Sequence, residues 1–266
     1  MDGDTLQLYC HGSEKNPNIV DGHGTASLLV TCTNVNFVTA NGSEVDVEAL
    51  TCSDNHEPHI VRTANAGCSD EGADGRTTNL DDLVQVQIGW QIDDTFHEQI
   101  LLCIDEMWYA TLWTTHSVLG AHIELRDTTG GRPSFRRDIS GYKRLFPLFS
   151  TQSAIEKYSH VHFIKWDMYL CSCFHDCSSY TKKEQFSTVQ ILLGTNTTSD
   201  GELYIETSRS GTHYFARGHL SPDAAFVYNA FQDATYYFVN VAPQFQSFNN
   251  GAWKALEGAV RDYAAR

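Results

Sequence analysis

Arg217-Gly218-His219 is followed by Asn240-Val241-Ala242-Pro243-Gln244, then by Asn249-Asn250-Gly251-Ala252-Trp253, and then by Glu257 and Arg261. An imidazole, two guanidiniums, two amides and a carboxylate in this order are suitable parts for hydrolysing a phosphodiester. That reaction needs a deprotonated water, relief of charge on a phosphorane-like transition state, and help for the departing 3′-oxygen. His219 suits the first task, because an imidazole with a pKa of about 6.5 is largely unprotonated at pH 7 yet still basic. Asn249 suits a divalent cation. Mg2+ prefers oxygen ligands and keeps most of its waters, so one amide oxygen can anchor it beside a phosphate. A neutral ligand also leaves the ion's full charge for the phosphate oxygen and the leaving group. Arg217 and Arg261 can clamp phosphate oxygens with their planar donor forks.

The elements needed to position these groups are legible in outline. Thr212–Ala216 and Thr235–Val241 are aromatic and β-branched, so both predict strands. Ser221-Pro222-Asp223 offers an N-cap followed by proline, which predicts a short helix between them. Beyond Asn249, the residues Trp253, Leu256, Val260 and Tyr263 recur at three- and four-residue steps, the pattern of a helix with one apolar face. Glu257 and Arg261 are four apart on that helix and share a face. Alone, each group has a plainer reading: Asn249 as a helix N-cap, and Glu257 with Arg261 as an exposed pair worth about 0.3–0.5 kcal/mol.

The series across Arg217–Arg261 resembles the DNA/RNA non-specific endonuclease family, and the wording of Phe215–Leu220 and Tyr236–Trp253 is most similar to its secreted arthropod branch. The resemblance implies an α+β fold with a ββα-metal nuclease core. It places the general base on His219, the metal-binding asparagine on Asn249, and further catalytic-site residues on Arg217, Asn240, Glu257 and Arg261. It matches a phosphate-facing arginine to Arg132 in Gly-Gly-Arg-Pro-Ser-Phe. It also implies Mg2+, with Mn2+ as a substitute, DNA and RNA as substrates, and products with 5′-phosphate ends. Ala216 stands where many members carry aspartate just before Arg-Gly-His. An alternative on the same fold is a protein that sequesters nucleic acid without cutting it; retention of His219 and Asn249 argues against that. With no base-reading module in view, backbone recognition of duplexes is expected rather than sequence readout.

Charge first argues against a polyanionic partner. The 266 residues carry a formal net charge of −15, whereas nucleic-acid affinity comes from basic groups that release counterions. The distribution resolves much of this. Residues 1–106 hold 19 acidic and 3 basic side chains, while residues 107–266 hold 14 and 15. Arg126, Arg132, Arg136, Arg137, Lys143 and Arg144 oppose only Asp127 and Asp138, with Phe135, Tyr142 and Phe146 interleaved. A solvated face is the plain reading; beside the nuclease motif, a wall that tracks phosphates is expected, with Arg136 and Arg137 in it. The break predicts an acidic, β-rich, disulfide-containing region 1–106 and an endonuclease domain 107–266.

Within the first region, Leu28 and Val30, Val35 and Phe37, and Asn41-Gly42 before Val45 and Val47 predict hairpins. Val84, Val86 and Ile88 alternate with Gln85 and Gln87, the pattern of a half-buried strand. Asn65–Asp82 is expected to be loop, and Ser150–Trp166 has near-helical spacing. No apolar run approaches the length of a membrane span, and no protein partner is inferable. The start, Met1-Asp2-Gly3-Asp4, has neither a basic nor an apolar stretch. Eight cysteines and the sequons at Asn41 and Asn196 favour an oxidising compartment, so a secreted glycoprotein is expected whose leader has been replaced by an initiator methionine. Sequence separation favours Cys10–Cys32 and Cys52–Cys68, with Cys103 reaching the cluster Cys171, Cys173 and Cys177. Zinc at that cluster, with His175, is the weaker reading, because the gap in Cys171-Ser172-Cys173 is poor for a knuckle.

Overall fold

The computed structural model describes residues 3–10, 19–20, 27–33, 36–46, 50–52, 58–63, 68, 83–92, 94–105, 110–136, 180–194 and 201–266. The chain forms two compact units: Met1–His59 with Ile88–Glu98, and Ile60–Gln87 with Gln99–Arg266. The fold is α+β, and the strand pairs Thr5–Tyr9 with Ser27–Thr33, Ser27–Thr33 with Asn36–Thr39, Asn36–Thr39 with Glu44–Val45, Ile19–Val20 with Thr51–Cys52, Thr95–Asp105 with Ala110–His116, and Phe215–His219 with Val241–Phe245 are antiparallel.

The first unit is built on β1 (Thr5–Tyr9), β2 (Ile19–Val20), β3 (Ser27–Thr33), β4 (Asn36–Thr39), β5 (Glu44–Val45) and β6 (Thr51–Cys52). Four of them make a sheet ordered β1-β3-β4-β5, and β2 pairs with β6. The expected hairpin at Asn41-Gly42 is present: Gly42 takes a φ of 82°, and the Asn41 carboxamide accepts from the Ser43 N–H at 3.1 Å. That left-handed φ is one glycine adopts without a Cβ penalty.

The second unit carries most of a sheet ordered β10-β9-β8-β7, from β7 (His59–Thr63), β8 (Leu83–Ile92), β9 (Thr95–Asp105) and β10 (Ala110–His116). The alternation in β8 predicted one buried face, but Leu83, Val84, Gln85, Val86 and Ile88 are all buried. Both faces of this strand are covered, which alternation alone cannot reveal.

Cysteine pairing follows the sheets and corrects the expectation from sequence separation. Cys10 is bonded to Cys52, and Cys68 to Cys103. Cys32 lies within β3 opposite Phe37 of β4, so it is not the partner of Cys10. Cys68 packs with Leu83, Cys103 and Trp113 in one buried cluster, which brings together two thiols 35 residues apart. Cys171, Cys173, Cys177 and His175 lie outside the described residues, as do Arg137, Lys143, Arg144, the sequon at Asn196, the expected segment Ser150–Trp166 and, except for Cys68, the expected loop Asn65–Asp82.

Helix α1 (Lys182–Leu193) begins at Thr181, whose hydroxyl accepts from the Glu184 N–H, and ends at Gly194 in the left-handed conformation with φ 63°. Both ends are capped: a hydroxyl satisfies a first-turn donor, and glycine closes the last turn. The buried Gln185 on α1 donates to the Phe215 carbonyl at 2.9 Å and accepts from the Phe215 N–H at 2.8 Å. One side chain thereby pins the start of the hairpin that carries the candidate site.

Candidate active site

Two strands, β11 (Phe215–His219) and β12 (Val241–Phe245), pair antiparallel with Arg217 opposite Pro243 and His219 opposite Val241. Both lie later in the chain than aromatic and β-branched content predicted. The run Tyr236-Tyr237-Phe238-Val239 is instead a buried approach with a single turn at Phe238–Asn240, anchored where Thr111 donates to the Val239 carbonyl at 2.6 Å. Proline within β12 hides that strand from a propensity reading, and a two-stranded ribbon tolerates it because the missing N–H lies at an edge. The expected helix after Ser221 is one short turn, Asp223–Ala225.

Alternation along β11 puts Phe215, Arg217 and His219 on one face. Gly218 lies on the other, where a Cβ would collide with the Gln244 side chain. A larger residue between the arginine and the histidine would require Gln244 to move.

His219 is enclosed by aromatic rings. Its ring centroid lies 5.1 Å from that of Phe135 and 4.8 Å from that of Tyr236, the latter edge-on. Its Nε2 is buried with no hydrogen-bond partner. Burial pushes the imidazole pKa down to about 4; the Asp223 carboxylate opposes that shift and the Arg132 guanidinium adds to it. His219 is thus neutral in the free protein at pH 7. Its carbonyl accepts from Trp253 Nε1 at 3.2 Å, which ties the strand end to the segment bearing Asn249.

Arg217 is held by rings: its guanidinium carbon lies 5.3 Å from the centroid of Tyr180, 5.5 Å from Phe135 and 5.7 Å from Phe238. Cation–π contact orients the fork without neutralising it. Arg132 is exposed and lies 3.9 Å from Asp223 Oδ2 through its Nε. Arg136 does not stand on a free wall: its N–H donates to the Tyr236 carbonyl, its guanidinium lies over the Tyr237 ring, and its Nη1 is buried without a partner.

Asn240 requires a correction. It is fully buried, its Nδ2 donates to the carbonyls of Ser221 and Thr235, and its Oδ1 accepts from the Ser221 N–H. No face of it is left for substrate, so it is a positioning residue that holds the turn immediately after His219. Ser221 Oγ extends the network to Thr114 Oγ1 and His116 Nδ1, each at 2.9 Å. Burial lowers the His116 pKa.

Asn249 opens a wide helical turn, Asn249–Trp253, that kinks at Gly251 before α2 (Lys254–Ala264). The expected helix is present. Leu256, Val260 and Tyr263 are exposed, at 53%, 49% and 79%, whereas Glu257 and Arg261 are partly buried. Periodicity located a helix face; which side faces the protein is decided by the polar pair. Burial raises the Glu257 carboxyl pKa; Arg261 opposes this and Asp223 adds to it. Arg261 Nη1 is buried without a partner.

Asp223 and Tyr236 were not singled out by sequence. Tyr236 Oη donates to Asp223 Oδ2 at 2.8 Å, and Asp223 acts electrostatically on both His219 and Glu257. An acid four residues after the histidine was the available hint, masked by its reading as a helix start. The oxygen groups suit a hydrated divalent cation: the Asn249 amide has no hydrogen bond to a described residue, and Glu257 supplies a carboxylate whose charge is disfavoured by burial and by Asp223. Such oxygen groups fit a hard divalent cation. Among the described residues no cluster of three His, Cys, Asp or Glu side chains offers a direct all-protein cage.

A β-hairpin ending in an enclosed histidine, beside a helix that turns an acid and an arginine inward, defines a nuclease-class domain. A family model for DNA/RNA non-specific endonucleases matches residues 80–266, and the chain belongs to that family. It is similar to a salivary endonuclease of Lutzomyia longipalpis, 24% identical over 266 residues, which cover 98% of this chain and 47% of the relative. The chain therefore spans about half the length of that curated relative. No solved structure matches it.

Proposed function

We propose that this protein is a secreted, metal-dependent endonuclease that hydrolyses DNA and RNA without regard to sugar or base, preferring duplexes and leaving 5′-phosphate ends. The observation that carries this is the enclosed, neutral His219 on the same strand face as the ring-held Arg217, tied through Trp253 to the turn bearing Asn249. Family membership and the salivary relative support the reaction class; the disulfides support secretion, because such bonds persist in oxidising compartments.

In this reading His219 accepts the proton of the attacking water. Its basicity in the free protein is low, and a phosphate dianion-like transition state alongside raises it by stabilising the imidazolium. Arg217 and Arg132 hold non-bridging oxygens. Glu257 orients water on the helix side, Arg261 beyond it faces the substrate backbone, and Asn240 keeps the His219 turn in register from behind. A magnesium or manganese ion held through Asn249 would supply charge compensation at the phosphate and the departing 3′-oxygen. Glycosylation at Asn41 is compatible with its exposed turn.

The test is cleavage of duplex DNA, single-stranded DNA and duplex RNA, with and without EDTA, by the parent and by His219→Ala. Metal-dependent cutting of both nucleic acids that falls at least a hundredfold in the variant is expected. Parent protein that binds duplex tightly and never cuts it overturns the reading.

A further inference from the structure

Between the turn Gly120–Leu125 and α2 lies an open cleft of about 240 Å³, whose lining includes Glu124, Arg126, Thr128, Arg261 and Asp262. We propose that this cleft binds a second phosphodiester of the substrate strand, flanking the one that is cut, with Arg126 and Arg261 as its cationic walls. The inference rests on the nuclease reading above and adds to it a subsite outside the reacting centre.

Arg261 contributes a buried Nη1 with no acceptor. No protein acceptor ties down that nitrogen, so the guanidinium charge at the cleft lining remains available to an anion. Arg126 is partly buried and is anchored by one edge, where Nη1 donates to the Ala224 carbonyl at 3.3 Å. The remainder of its fork has no hydrogen-bond partner among the described residues. Two planar forks on opposite elements suit the tetrahedral oxygens of a phosphodiester.

Position points to a neighbouring phosphate rather than the reacting one. Ala224 follows Asp223, so Arg126 is fixed to the rim of the site. Arg261 stands one helical turn beyond Glu257, about 6 Å along the axis. That is comparable with the step between successive phosphates of a strand. Glu124 and Asp262 balance the formal charge, yet both are exposed. Their fields are damped by water and salt, while those of the half-buried guanidiniums are damped less. Thr128 adds a neutral hydroxyl to the lining.

The experiment measures duplex binding in EDTA, so that no cleavage is required. A series of duplexes, each too short to bind in more than one register, carries one charge-neutral methylphosphonate at each successive position. At one flanking position the parent should lose about tenfold in affinity, and Arg126→Ser should show no further loss there. The slope of log Kd against log salt should fall by about one in Arg126→Ser and be largely retained in Arg126→Lys, which guards against a folding defect. Glu124→Gln should tighten binding. Full additivity at every position, or an unchanged salt slope, overturns the cleft. Inorganic phosphate is the second arm: Arg126-dependent phosphate binding beside an additive methylphosphonate series would make this a free-anion site and overturn the strand assignment. An additive series leaves His219 catalysis standing, whereas coupling in a parent that never cuts overturns catalysis alone.

Discussion

Tyr236 donates its phenolic hydrogen to Asp223 Oδ2 at 2.8 Å while presenting its ring edge to His219. Burial, and then the bond to Asp223, hold the phenol protonated well above its ordinary range. The pair therefore fixes a carboxylate beside the imidazole through a residue that does not itself titrate under ordinary conditions.

Asp223→Asn keeps an oxygen for Tyr236 but removes the charge that favours the His219 imidazolium. The His219 pKa should fall further, so the acidic limb of single-turnover cleavage moves to lower pH. Arg132→Ser, which removes an opposing cation, should move the limb the other way. Identical pH profiles for parent and Asp223→Asn would disconnect the carboxylate from the base.

Linkage at His219 has a definite sign. Its folded pKa, about 4, lies below the unfolded value of 6.5, so the unfolded chain binds more protons. Stability is unaffected above pH 6.5 and falls as pH drops from there toward 4, by at most about 3 kcal/mol from this group. Denaturant titrations between pH 4 and 7 should show a shallower acid loss in His219→Gln than in the parent.

Asn240→Ala leaves the Ser221 N–H and two carbonyls without their buried partner. Each unsatisfied group costs about 1–3 kcal/mol, so urea denaturation should register a loss of at least about 2 kcal/mol. Turnover should fall through disorder of the His219 turn, with duplex affinity little changed. A large loss of affinity with normal stability would instead return Asn240 to the substrate surface.

Chelation should abolish cleavage and leave the circular-dichroism spectrum unaltered, because two disulfides and the packed sheets hold the fold without the cation. Undiminished cutting in excess EDTA would remove the metal from the mechanism.

Peptide mapping of unreduced protein should recover Cys10 joined to Cys52 and Cys68 joined to Cys103. Replacing Cys68 and Cys103 together by alanine should lower stability by roughly 2–4 kcal/mol. A Cys10–Cys32 peptide would contradict the pairing.

The resemblance carried by Arg217–Arg261 implied the nuclease family and the α+β fold, and residue spacing alone marked the last helix, because helical periodicity depends on local type and spacing. The tertiary structure decided what spacing cannot encode. Periodicity marks an apolar stripe on α2 but does not say which side meets the protein, and here Glu257 and Arg261 turn inward while Leu256 and Tyr263 face water. Propensity favoured Tyr236–Val239 as a strand, yet the ladder forms at Val241–Phe245, where cross-strand register with Phe215–His219 outweighs the presence of Pro243. Disulfide partners depended on which strands became neighbours rather than on the number of residues between them. Asn240 became a support and Asp223 a member of the site for one reason: burial and hydrogen-bond partners, which set the role of a polar side chain, come from residues distant in sequence.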